Sequence, residues 1–356
     1  VVQTTIYESL REAGYTKLTR HTGDIGMEIE TESKKAYEVP DLKYWSFHAD
    51  GSLRNNGIEY IHKAPVTRGR QLKETLQEWD ENINKKVKLD PNSYSTSVHV
   101  HINFLNNTWL QLANFITTYY SVENFLIRLS GPDRVSNLFC LPICDCEGEL
   151  PAITSLISNI GMLQHRKLDM SPEHFKYSAM NICNLTKLGT MESRSLRGTL
   201  DITEQENWVE TLLRIKDFAM TLGLTPPAIV EMADKQGLRF LDTVFGDKAK
   251  QFESLKNVKG QILTKEDREK LFHKNLYYAA KIAGSSKFNN DQWGFPKPKK
   301  IYKQKFMEQL NKLSMQEFNA NFEALQPHMR LVIEEMLTRS LNVDVRNVVF
   351  AEGEAL

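Results

Sequence analysis

"GDIGMEIETE", residues 23–32, decides the fold. Its apolar residues Ile25, Met27 and Ile29 recur at every second position, the period of a strand with one face against a core. Glu28, Glu30 and Glu32 then share the opposite face with Gly26. Like charges in a row on one face of a pleat repel one another, so three carboxylates in register call for positive charge nearby.

Downstream, "KYWSFHADGSLRNNGIEYIHKAP" reads as a hairpin. Trp45, Phe47 and Ala49 alternate with Ser46, His48 and Asp50, "GSLRNNG" has turn composition, and the return strand around Glu59 has no clear facing. "SVHVHINF", residues 97–104, alternates cleanly, sending His99, His101 and Asn103 one way and Val98, Val100, Ile102 and Phe104 the other. "YSAMNICNL" and "GTMESRSLRGTLD" read as further strands, with Glu192 and Arg194 on one face. Residues 68–86 and 108–129 read as helices, and residues 129–151 as an irregular stretch over a site. From Thr203 onward the pattern turns helical, with starts at Thr203/Glu206, Thr264/Asp267 and Ser314/Glu317 and another at Pro226–Pro227. Residues 285–304 have the composition of a connector, and "NVDVRNVVF" that of a last strand. Strands first and helices later indicate an α+β chain, divided into a catalytic region over 1–222 and a mostly helical region over 223–356.

The chain has 356 residues, 41% apolar and 25% charged, with 45 basic and 45 acidic side chains. That balance argues against a protein whose main work is coating nucleic acid. No apolar run is long enough to span a membrane. The opening lacks Met and a signal-peptide layout, so a trimmed or processed chain in the cytoplasm is expected. Cys140, Cys144, Cys146 and Cys183 are too few and too clustered for a disulfide scaffold, their spacing is not a common zinc pattern, and they read as reduced thiols.

Glu28, Glu30, Asp50, His99, His101, Glu192 and Arg194 would gather on one sheet face. Carboxylates with a single His suit Mg²⁺ or Mn²⁺ better than zinc, and Arg194 and Arg197 would add phosphate-binding capacity. The combination points to nucleotide phosphate chemistry.

The series "DIGMEIETE", "DGSL…GIEYI", "SVHVHINF" and "YSAMNICNL…GTMESRSLRGTLD" resembles the putative amidoligase family, carboxylate–amine ligases similar to glutamine synthetase and glutamate–cysteine ligase. The resemblance covers about residues 23–220, and "DRVSNLFCLPI" is similar to the family's Arg-plus-Cys segment, where Arg134 and Cys140 fall. It implies a curled antiparallel sheet of the glutamine synthetase type with flanking helices. It also implies ATP with two Mg²⁺ or Mn²⁺ ions. Glu30, Asp50 and Glu59 would hold one metal; Glu28, His99 and Glu192 would hold the other. His101 would contact phosphate, Arg194 would steady the transferring phosphoryl group, and Arg197 and Arg134 would join the nucleotide site. Asp50 stands where many superfamily members have Glu, and Tyr60 follows Glu59 where a smaller aliphatic residue is usual.

The implied reaction joins a small-molecule or peptide carboxylate to an amine through an acyl phosphate, with Glu32 and His62 as candidate general bases. One alternative keeps the fold and stops at phosphoryl transfer, as guanidino kinases do. Another is a non-catalytic or nucleic-acid-associated protein, for which basic "KPKKIYKQK" with its Tyr is the only local support. An oligomer is compatible with either.

Overall fold

The computed structural model describes residues 4–285, apart from residues 92, 94, 136, 138, 159–174, 176 and 258. In chain order these form α1 (Ile6–Glu12), β1 (Ile25–Thr31), β2 (Trp45–Ala49), β3 (Ile58–His62), α2 (Arg70–Trp79), β4 (Ser97–Asn103), α3 (Trp109–Leu129) and α4 (Leu150–Ser158). β5 (Met180–Asn181), α5 (Leu185–Leu188), β6 (Thr190–Arg197), α6 (Ile202–Ala219), α7 (Pro226–Gln236), α8 (Arg239–Phe245) and α9 (Lys265–Ser285) follow. The strands make one open six-stranded sheet in the order β2-β3-β1-β4-β6-β5, with every neighbour antiparallel. The architecture is mixed α+β.

The pattern of β1 sets the layers. Ile25, Met27 and Ile29 are buried, as are their partners Ile102, Val100 and Val98 on β4. Each such side chain contributes about 1.5–3 kcal/mol on burial. A one-residue slip of β1 would exchange them for Glu28 and Glu30, so the register is strongly specified. Helices cover this face. Trp45 Nε1 donates to the Thr75 carbonyl of α2 at 2.9 Å, and Phe104 meets Phe115 of α3 with ring centroids 4.8 Å apart. β2 is an edge strand: Trp45 is buried, but Phe47 on the same face is 45% exposed. The alternation there marks facing and not burial.

The helix starts follow side-chain chemistry. Thr108 and Gln111 cap α3 reciprocally, and Thr225 caps α7 just before Pro226. Thr264 and Asp267 exchange hydrogen bonds ahead of α9. The expected start at Thr203/Glu206 is displaced: Asp201 caps α6 by accepting from the Thr203 and Glu204 amides. Asp201 reaches those amides because its own backbone is extended, the geometry an N-cap requires.

The apolar core runs without a break through residue 222: Leu224, Ile229, Phe240 and Phe272 belong to the same cluster as Val98 and Leu112. Most of the connector read over 285–304, the helix start at Ser314, the basic "KPKKIYKQK" and the strand read at "NVDVRNVVF" lie outside the described residues. Among the described residues no helix is long and apolar enough to cross a membrane.

Candidate active site

The second face of the sheet is built from β1, β3, β4 and β6. Cross-strand pairs bring Glu28 opposite His99 and Gly26 opposite His101, Glu30 opposite Glu59, and His101 opposite Glu192. β6 contains one extra residue relative to β4: Val98 and Val100 pair with Leu196 and Ser193. This bulge changes the parity of β6. Glu192 and Arg197 consequently both lie on the histidine face, although their spacing of five positions would put them on opposite faces of a regular strand.

A hydrogen-bond network crosses this face. The Glu28 carboxylate bridges both histidines, Oε2 to His99 Nδ1 and Oε1 to His101 Nε2, each at 3.0 Å. His101 Nδ1 lies 3.0 Å from Thr190 Oγ1. Ser97 donates to Glu30 Oε2 through its amide and hydroxyl, both at 2.7 Å, and its Oγ is 2.7 Å from His99 Nε2. Glu192 Oε2 accepts from Asn181 at 2.9 Å and Asn184 at 2.6 Å, and its Oε1 from Arg194 Nη1 at 2.5 Å. Ser97, Thr190, Asn181 and Asn184 are the members that the sequence pattern did not single out. Their only signal is position: Ser97 opens the H-x-H strand in the same parity, and the two Asn bracket Cys183 in the "MNICNL" turn.

Charge is distributed unevenly here. Burial raises the Glu28 carboxyl, but hydrogen bonds from His101 and His99 outweigh it and hold the group well below its usual range. Burial likewise acts on Glu192, where the Arg194 charge and then the imidazoles prevail and depress it. Arg194 is raised because Glu192, Glu30 and Glu28 overcome its desolvation. Glu59 goes the other way. Burial, then the charges of Glu28 and Glu30, push it up to about 7. The charge of His99 favours the ionised Glu59 but is outweighed, and Glu59 stands directly opposite Glu30, where like charges destabilise.

Three groupings among the described residues bring ligand atoms within 4.8 Å of one another: Glu30, Asp50 and Glu59; Glu28, Glu59 and His99; and Glu28, His101 and Glu192. The first is the set expected for one metal. The second expected set, Glu28, His99 and Glu192, does not appear as such. Its members meet, with His99 Nδ1 3.4 Å from Glu192 Oε1, but the closer groupings include Glu59 or His101. Three carboxylate donors suit a hard divalent cation, and a mixed carboxylate–imidazole set fits Mn²⁺ or Mg²⁺ as well. Asp50 is oriented by accepting from the Ser52 amide and hydroxyl at 2.8 Å. The hairpin tip that carries it turns through Asn55 and Asn56 at φ 49° and 54°, a region that Asn tolerates.

Several expected residues sit elsewhere. Arg197 is on the site face, but its Nη2 donates to Glu204 at 2.7 Å. Arg134 is buried, and Nε and Nη2 donate to the carbonyls of Ser195 and Arg194 at 2.9 Å each, so two of its donors serve the backbone. Glu32 accepts from the Arg54 amide at 2.7 Å, from Ser93 at 2.9 Å and from Ser95, tying two loops together. His62 corrects the general-base expectation. It points to the core, packs tilted against Trp45 with ring centroids 4.0 Å apart, and accepts from the Met27 amide through Nδ1 at 3.2 Å. Its Nε2 is 3.1 Å from a Thr75 hydroxyl already donating to Leu72. Burial lowers it to about 3, so it stays neutral.

Beyond the Gly26/His101 end of the acid stripe lies a pocket of about 290 Å³, lined by Gly26, Glu28, His101 and Thr190 and rimmed by Lys17, His21, Lys63 and Lys187. Apart from this face, α3 and residues 141–149 enclose two acids. Glu123 accepts from the Ile143 amide at 2.9 Å, and burial pushes it up to about 8. Glu149 is 2% exposed, and among the described residues neither of its oxygens has a hydrogen-bond partner. Burial pushes it up to about 9. The four cysteines are free, and none belongs to the ligand groupings above.

Residues 18–216 match the model of the family described as "Putative amidoligase enzyme". No curated protein matches the chain.

Proposed function

The chain belongs to that putative amidoligase family, and on this premise we propose that it is an ATP-dependent carboxylate–amine ligase with a glutamine synthetase-like catalytic face. The observation that carries the proposal is the convergence of Glu30, Asp50 and Glu59, three carboxylates that meet His99 only at 3.9 Å from Glu30, next to an Arg194 guanidinium directed at Glu192. Such a cluster is stabilised by a divalent cation. In this reading Glu30, Asp50 and Glu59 hold one Mg²⁺ or Mn²⁺, and Glu28 and Glu192 with His99 hold the second. Bound there, the cations neutralise phosphate oxygens and favour phosphoryl transfer.

The chain's own groups then have distinct tasks. His101 stands at the mouth of the pocket, where it meets a phosphate while the nucleoside occupies the cavity between Gly26 and the lysine rim. Arg194 faces the transferring phosphoryl group, matching its planar fork to the oxygens. The substrate carboxylate attacks the γ-phosphorus, ADP leaves, and an acyl phosphate forms. The amine nitrogen then attacks the acyl carbon, inorganic phosphate leaves, and the amine proton passes to a base. Glu32 and His62 are removed from that role by their hydrogen bonds, and no residue is assigned to it. The catalytic face belongs to residues 1–222 and the helices beyond 223 buttress it. Partners are small-molecule or peptide acids and amines in a cytoplasmic setting.

The test follows the oxygen. The protein is incubated with Mg²⁺-ATP and pools of amino acids and polyamines whose carboxylates carry oxygen-18. Ligation through an acyl phosphate moves one label into inorganic phosphate and yields an amide. A phosphorylated product without amide would support the guanidino-kinase alternative, and absence of metal-dependent ATP consumption with every pool would refute the proposal.

A further inference from the structure

β5 is only two residues long and pairs with Ser193 and Glu192, so among the described residues β6 has no strand neighbour on that side at its bulge. Backbone groups of a buried strand need partners. The Arg194 amide donates to the Ala179 carbonyl at 2.9 Å and the Arg197 amide to the Ser130 carbonyl at 3.1 Å. The carbonyls of Arg194 and Ser195 are taken by Arg134 Nη2 and Nε. Arg134 is 1% exposed, and one guanidinium does there what a strand would have done. Its approach depends on Gly131, whose φ is 136° and where a Cβ would lie 2.8 Å from Arg197 Cδ. Cys140 Sγ closes the turn at 3.5 Å from the Arg134 carbonyl.

We propose that Arg134 is a positioning residue for Arg194: it locks the extra residue of β6, so that Arg194 meets Glu192 while Glu192 and Arg197 both stay on the histidine face. The inference rests on the proposed action of Arg194 on a phosphoryl group, but its structural half is tested without nucleotide. If the extra residue were lost from the bulge, the alternation would turn Arg197 towards the core.

The experiment uses the full chain and Arg134→Lys, which keeps the charge and loses the two-pronged reach. The side-chain Nε–H resonance of Arg194, assigned by its disappearance in Arg194→Lys, is expected to shift or broaden in Arg134→Lys. With Mg²⁺-ATP, kcat for nucleotide turnover should fall by about tenfold or more while KM stays within about twofold. An unmoved Arg194 resonance overturns the proposal. So does a KM raised by about tenfold with kcat retained, the mark of a direct anion ligand. If the parent turns over no ATP, the ligase reading fails, and the resonance alone decides the positioning role. Should Arg134→Lys not fold, Gly131→Ala displaces the same turn with the guanidinium intact; the same resonance must move, and its constancy overturns the proposal.

Discussion

Replacing Glu149 with Gln should flatten the pH dependence of stability. In the fold this carboxyl sits at about 9, against 4.5 in an open chain. The folded state therefore retains a proton that the unfolded state releases between those values. Stability from this group is fully present below the unfolded value and is lost as pH rises towards the folded one. The loss is about 1.4 kcal/mol per pH unit, roughly 3 kcal/mol at pH 7. Gln removes the titration, while its second amide proton adds an unsatisfied donor worth about 1–3 kcal/mol, so the net change at pH 7 is small. The slope is the clean observable, because other titrating groups cancel between parent and variant. Urea unfolding at half-unit steps from pH 5.5 to 8.5 should give ΔG that declines less steeply in Glu149→Gln by about 1.4 kcal/mol per pH unit. Parallel curves would mean that Glu149 is hydrated or ionised in the fold, and the reasoning from its burial would fail. Glu123, raised to about 8 by burial, should supply a second share of the parent's slope, coupled to the first because its charge acts on Glu149.

Four further outcomes are expected. Glu59→Gln, which relieves repulsion from Glu28 and Glu30, should melt no lower than the parent without metal and should lose any stabilisation by Mg²⁺-ATP in a thermal-shift assay; an unchanged shift would free Glu59 from a metal role. His99→Ala should weaken Mn²⁺ binding, measured by electron paramagnetic resonance, with activity partly restored by excess Mn²⁺. His101→Ala should keep Mn²⁺ and lose nucleotide affinity, and identical defects would merge the two roles. Arg194→Lys should lower ATP turnover by on the order of a hundredfold with little change in nucleotide affinity, and full turnover would leave Arg194 as an ion-pair partner of Glu192 only.

The central strands were legible because one side of the sheet is packed. Ile25, Met27 and Ile29 on β1 and Val98, Val100 and Ile102 on β4 obey a period of two, which fixed the facing of Glu28, Glu30, His99 and His101. The motif series likewise marked residues 23–220, close to the 18–216 of the family match. β3 resisted the same reading because Ile61 faces the pocket while His62 enters the core, opposite to their polarities; only tertiary contacts with Trp45 and Thr75 account for that. The bulge of β6 is a single uncounted residue, invisible to any periodicity. Arg134 entered the nucleotide site through the resemblance alone, and its service to two carbonyls leaves no local pattern in the sequence. Glu32 continued the acid stripe in parity, yet the loops that claim it come from residues 54, 93 and 95.

Gly26 ends the acid stripe where Glu28 begins it, and there the sheet surface gives way to the pocket. A Cβ added at this position would come no nearer than 3.9 Å to any neighbour, that neighbour being the Cβ of His101. The strand thus accepts a side chain there without repacking. Position 26 is in effect an adjustable wall. Ala would narrow the cavity by one methyl group while meeting no neighbour closer than van der Waals contact.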